Sequence, residues 1–158
     1  MLAAGAIDCA IIARPPDCFL CGHPDVVRLF PDFLAREEEY YARTRVRPIM
    51  HIIVLQTRVL DAHPWVARNL YNAFLESKRR SLARLLDPAV SRYPLPWVPT
   101  YAQRMRDMFG GDPFPFGIEA NRPTLEQFLR YTYEQGIAQR HVKPEEIFPS
   151  GVMTDVKV

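Results

Sequence analysis

The stretch from Pro48 to Leu86, PIMHIIVLQTRVLDAHPWVARNLYNAFLESKRRSLARLL, constrains the fold more than any other. Ile49 to Leu55 is apolar at nearly every position and rich in β-branched residues. Such a run suits a strand covered on both faces, as in a sheet flanked by helices. Only His51 interrupts it, and a buried histidine there must find a hydrogen-bond partner or face a cleft. Pro64 then marks a helix start, where a missing N–H costs nothing, with Asp61 and His63 before it as candidate caps. Val66, Leu70, Ala73 and Phe74 form an apolar stripe at helical spacing. Glu76 lies four residues before Arg80, the favourable order for an ion pair on the opposite side.

A second strand is expected over Ala6–Ala13, AIDCAIIA, ended by Arg14-Pro15-Pro16, because proline cannot continue a central strand. Arg14 would then sit outside the carboxyl end of a strand, where open α/β sheets bind ligands. A guanidinium at that place can hold a carboxylate through two parallel hydrogen bonds; the bland alternative is a solvated surface arginine. Further helices are expected from Pro31-Asp32 to about Thr44, from Tyr101 to Phe109, and from Pro123 to Gly136. Shorter helical turns are expected over His23–Phe30 and Pro144–Ile147. The third long helix would carry Leu125, Phe128, Leu129 and Thr132 on one face, with Glu119 and Asn121 in the loop before it. Asp87 to Pro99 reads as a proline-rich surface wrap.

These pieces also carry a family resemblance. PIMH with HPWVARNLYNAF, AIDCAIIARPP with RLFPDF, and FGIEANRPTLEQFLRYTYEQG together resemble the 4,5-dihydroxyphthalate decarboxylase family, in that family's C-terminal half. The resemblance implies a type 2 periplasmic-binding-protein-like fold turned to catalysis. It implies an α/β, helix-rich partial fold, with few strands and flanking helices. Residues 1–47 would be the remainder of the second lobe. Residues 48–158 would be a crossover strand and C-terminal helices returning to the first lobe. The N-terminal lobe lies outside this sequence, so a separate N-terminal lobe or a second copy of the chain is the expected macromolecular partner. The small-molecule partner is an aromatic carboxylate.

The implied reaction takes 4,5-dihydroxyphthalate to protocatechuate and carbon dioxide. The departing carboxylate lies para to a phenolic hydroxyl, so the ring serves as its own electron sink. No organic cofactor is required, and no ligand cluster argues for a divalent metal. The site needs a cation for the retained carboxylate, which Arg14 fits, and an acid for the ring carbon. His51 fits the acid, because an unperturbed imidazole titrates near neutrality; the alternative is a satisfied core histidine. Glu119 and Asn121 are the further substrate-binding candidates. The competing function is a non-catalytic small-carboxylate binding module of the same fold.

Other classes are argued against by composition. A net charge of +2 with no basic run excludes an electrostatic nucleic-acid binder, and the apolar runs are too short to span a membrane. Met1–Ala6 has no positively charged leader, so a cytoplasmic protein is expected. Cys18, Cys21 and His23, with Cys9, invite a zinc reading, but no second paired-cysteine motif accompanies them. Reduced cysteines without a role are the simpler expectation.

Overall fold

The computed structural model describes residues 1–89 and 93–153. Two compact units divide the chain, one spanning Met1–Arg43 and the other beginning at Thr44. Each is helical, and no strand occurs among the described residues.

The first unit contains the short helix α1 (Asp17–Leu20) and, up to its last residue, α2 (Phe33–Thr44). Its single buried apolar side chain is Val26. Cationic side chains over aromatic rings supplement so small a core. The Arg28 guanidinium lies 4.8 Å from the Phe33 ring centre and 5.6 Å from that of Phe19, and Arg36 lies 5.3 Å from Phe30 while pairing with Asp32 at 2.7 Å. His23–Phe30 holds one turn at Pro24-Asp25 and a bend at Leu29 rather than the expected helical turn. There the His23 ring accepts the Asp25 N–H and its carbonyl accepts the Val26 N–H, which uses the local donors before a helix can form.

The second unit contains α3 (Thr57–Ala62), α4 (Trp65–Leu86), α5 (Val98–Met108), α6 (Ile118–Glu134), α7 (Pro144–Ile147) and a closing 3-10 turn (Ser150–Val152). Helix α4 packs on α3, on α5 and on the 3-10 turn, while α7 packs on α6. Among the described residues of this unit the buried apolar positions are Ala67 of α4, Ile118, Leu125 and Leu129 of α6, and Pro113 and Pro144. Pro64 precedes α4 as expected, but neither Asp61 nor His63 caps it through a side chain. The α4 face turned inward runs through Ala67 and Leu70, whereas Phe74, part of the expected stripe, is 43% exposed.

The two expected strands are corrected. Ala6–Ala13 and Pro48–Gln56 carry no strand, and the α/β fold class gives way to a helix-rich one among the described residues. A strand exists only through its ladder to a neighbour, and neither segment meets one here. Their apolar side chains therefore stay in solvent: Ile11 is 98% exposed and Val54 79%. In the expected wrap, Val90, Ser91 and Arg92 lie outside the described residues, as does the tail from Thr154.

Two helices start earlier than expected. Helix α5 begins at Val98, directly after Trp97 in a left-handed conformation (φ 59°), because Pro99 falls in the first turn where no N–H is needed. Helix α6 begins at Ile118 and takes Pro123 inside it. Only the Glu119 carbonyl loses its donor to that proline, and burial of Ile118 offsets one lost bond. Helices α2 and α7 form where the sequence places them, within two residues.

Leu129→Ala should lower the unfolding free energy of the second unit by about 2 kcal/mol, the lower end for a buried leucine because the core is thin. Phe128→Ala, at a position 60% exposed, should change it by less than about 0.5 kcal/mol. Urea unfolding followed by circular dichroism distinguishes the two; equal losses would mean that the α6 face is wrongly assigned.

Candidate functional site

The best-organised polar region surrounds the start of α6. The preceding loop, Asp112–Gly117, is fixed from three directions. Asn121 donates its side-chain amide to the carbonyls of Pro115 (2.8 Å) and Gly117 (2.9 Å). Lys78, reaching from α4, pairs with Asp112 at 2.6 Å, donates to the Phe114 carbonyl and lies 4.5 Å from the Phe116 ring centre. Arg47 donates its guanidinium to the Pro113 carbonyl and covers the Phe114 ring at 4.1 Å. Its backbone N–H meets the hydroxyl of buried Thr124 at 3.0 Å.

One turn further on, Arg122 gathers three carboxylates: Glu119, Glu126 at 3.3 Å and Glu145 of α7 at 2.6 Å. The Arg122 hydrogen bond holds the Glu119 and Glu145 carboxyls below the usual carboxylate range, and the same bonds raise the guanidinium. A groove of about 650 Å³ runs alongside, lined by Arg122, Arg130, His141 and Lys143 among others. The His141 ring lies 3.9 Å from that of Tyr133. Arg122 is already neutralised by its carboxylates, and Arg130 lies 3.5 Å from Glu134. The groove is therefore a device for holding α7 and the segment before it against α6.

The residues singled out from sequence fall into two groups. Glu119 and Asn121 lie within α6 rather than in the loop before it, and both are engaged in intramolecular bonds. As placed here Glu119 orients Arg122 and Asn121 clamps a loop. His51 and Arg14 are exposed and make no hydrogen bond, ion pair or ring contact among the described residues. Arg14 belongs to the first unit and the other three to the second. The His63 ring lies 5.8 Å from that of Trp65, tilted by 56°. Cys9, Cys18 and Cys21 are free thiols, and no group of three or more His, Cys, Asp or Glu side chains able to hold a metal occurs among the described residues. No described helix is long and apolar enough to cross a membrane.

Sequence reasoning missed Arg122, Arg47 and Lys78. For Arg122 a signal existed: Glu119 and Glu126 stand three before and four after it, the spacing that brings charges together on one helix face. For Arg47 and Lys78 no local signal exists, since their partners lie 34 to 77 positions away.

No family model matches the chain. A curated relative does, the 4,5-dihydroxyphthalate decarboxylase of Comamonas testosteroni, 32% identical over all 158 residues. The resemblance is to the 4,5-dihydroxyphthalate decarboxylase family, and it runs the length of the chain. The chain spans about half of that relative, 48% of its length.

Two measurements test this geometry. Arg122→Ala should leave α6 in place but release α7, seen as faster amide hydrogen exchange at Glu145–Ile147; unchanged exchange there would remove Arg122 as the link. The second concerns acid. Glu146 accepts from Arg140 (2.7 Å) and from the Lys143 N–H (2.7 Å), which together bring its carboxyl down from 4.5 to about 2. A carboxyl depressed on folding adds stability that is fully present above its unfolded value and is lost as pH falls through its folded one. The α7 turn should therefore loosen between pH 4.5 and about 2, and Glu146→Gln should flatten that titration in NMR chemical shifts of the α7 amides.

Proposed function

We propose that this chain contributes to decarboxylation of a dihydroxylated aromatic dicarboxylate, with 4,5-dihydroxyphthalate giving protocatechuate and carbon dioxide. The observation that carries the reading is similarity over the whole chain to a protein of that name. The residue chemistry suits it. Arg14 holds the carboxylate that is retained, using the fork of its guanidinium. His51, as imidazolium, gives a proton to the ring carbon bearing the other carboxylate. The phenol para to that carbon supplies electrons, the carbon–carboxylate bond breaks, carbon dioxide leaves, and the ring regains aromaticity. One proton is taken up at carbon for each carbon dioxide released.

Both side chains stand open to solvent in this structure, so nothing yet excludes water from the reacting carbon. A working site would need cover that keeps water from the reacting carbon.

The test is anaerobic turnover of 4,5-dihydroxyphthalate, following substrate loss and carbon dioxide release. His51→Ala should lower kcat by about a hundredfold, and Arg14→Ala should mainly raise KM. A rate unchanged in His51→Ala removes His51 from the chemistry. Ligand retained by the folded chain but never consumed would favour a carboxylate-binding module instead.

A further inference from the structure

We infer that Cys18 and Cys21 are a reversible redox pair, which closes to an intramolecular disulfide by exchange with a low-molecular-weight disulfide of the glutathione class. The closed pair staples the α1 turn of the first unit. The inference is independent of the decarboxylase reading.

From sequence the two residues are only a Cys-x-x-Cys spacing, and idle thiols were the simpler expectation. The structure puts that spacing on one closed turn. Cys18 lies inside α1, and Cys21 is the residue that caps it. The Cys21 N–H donates to the Asp17 carbonyl at 2.8 Å, and the Cys18 carbonyl accepts the His23 N–H at 2.9 Å. Gly22, at φ 72°, turns the chain back so that its own N–H meets the Phe19 carbonyl at 3.1 Å. Both cysteine backbones are thereby held three residues apart on one helical turn, where Cβ atoms lie about 5–6 Å apart. A disulfide needs about 3.5–4.5 Å. The difference is met by tightening the last turn toward three residues per turn, which brings positions i and i+3 into line. Cys21 already leaves helical geometry, with ψ 0°, and the Gly22 bond to Phe19 already spans three residues. Little packing resists the adjustment, since Val26 is the one buried apolar side chain of this unit.

The turn is open to a reagent. Cys21 is exposed and Cys18 partly so, Leu20 between them is 67% exposed, and a Cβ placed on Gly22 would meet nothing within 4 Å. The exposed thiol therefore reacts first. The Cys21 thiolate attacks one sulfur of glutathione disulfide, that S–S bond breaks, and one glutathione leaves as thiolate. The Cys18 thiolate then attacks the Cys21 sulfur and expels the second glutathione. Two protein thiols are oxidised, one external disulfide is reduced to two thiols, and the two cysteine protons pass through water to the departing thiolates. A reducing dithiol reverses both steps. Cys9 is a poorer partner for either cysteine. It is exposed, lies in a segment without regular secondary structure, and is separated from α1 by Pro15 and Pro16. Closing onto it takes a longer and looser loop.

The test is incubation of the full, fully reduced chain with glutathione disulfide at mildly alkaline pH, where ordinary thiols are partly ionised. Acid quenching, alkylation and non-reducing peptide mass spectrometry follow. The expected product is a peptide holding Cys18 and Cys21 that is lighter by two hydrogens and carries neither glutathione nor alkyl group. It should form at a glutathione disulfide concentration about tenfold below that needed to modify Cys9, because its second step is intramolecular. Cys9→Ser should close in the same way, whereas Cys18→Ser should stop with glutathione on Cys21. Amide exchange at Cys21 and His23 should slow by about tenfold in the oxidised chain. Glutathione accumulating on both Cys18 and Cys21 overturns the proposal, as does a disulfide through Cys9 or between two chains. Closure that is easier in concentrated urea than in the folded chain overturns it too, because the folded turn then holds the thiols apart. Unchanged exchange at Cys21 and His23 after closure would overturn the staple.

Discussion

Arg47 is the residue on which the second unit most depends. It ties the end of α5, the loop that follows, and the first half of α6 to one backbone position. Its guanidinium lies 4.1 Å from the Phe114 ring centre and 5.3 Å from that of Phe109, and donates to the Pro113 carbonyl. Its N–H satisfies the Thr124 hydroxyl, a buried polar group that would otherwise be costly. The apolar part of the side chain shields the rings while the charged end satisfies a carbonyl, so a single residue serves as both core and hydrogen-bond donor.

Such polar clamps matter because the apolar core is small. Among the described residues the buried apolar side chains are Val26, Ala67, Ile118, Leu125 and Leu129 with the prolines Pro113 and Pro144, and no side chain is completely enclosed. The difference is made up by charge-assisted bonds: Lys78 to Asp112, Arg122 to three glutamates, Arg140 to Glu146. Exposed pairs contribute little each, but Lys78, only 14% exposed, and the three-way pairing of Arg122 belong to the stronger class. The same thinness explains why much apolar surface remains available. Ile52, Ile53 and Val54 are left in water, as are Trp65 and Phe128 on the helices of the same unit.

The four residues expected for a site from the sequence have different employments in the structure. Glu119 and Asn121 are held firmly, but by internal duties, and their bonds to Arg122 and to two loop carbonyls leave them as scaffold. Arg14 and His51, the two side chains with the chemistry for a carboxylate and a proton, make no hydrogen bond, ion pair or ring contact among the described residues. The similarity to a decarboxylase runs through every residue of the chain and through 48% of the relative's length.

What the sequence by itself determined was local. Apolar periodicity, Pro64 and the Glu76–Arg80 spacing marked α4; Pro144 marked α7; Gly136 marked the end of α6. Helices are legible in this way because their hydrogen bonds close within four residues, so the information lies in the window being read. The family resemblance was legible for a different reason, since long motifs survive as residue identity. What only the tertiary structure decided was everything that depends on distant partners. The apolar pattern of Ile49–Leu55 is that of a strand, but a strand is a relation between segments, and no segment within the described chain completes it. The burial of Thr124, the clamping by Arg47 and Lys78, and the employment of Glu119 and Asn121 as scaffold were decided by which surfaces met.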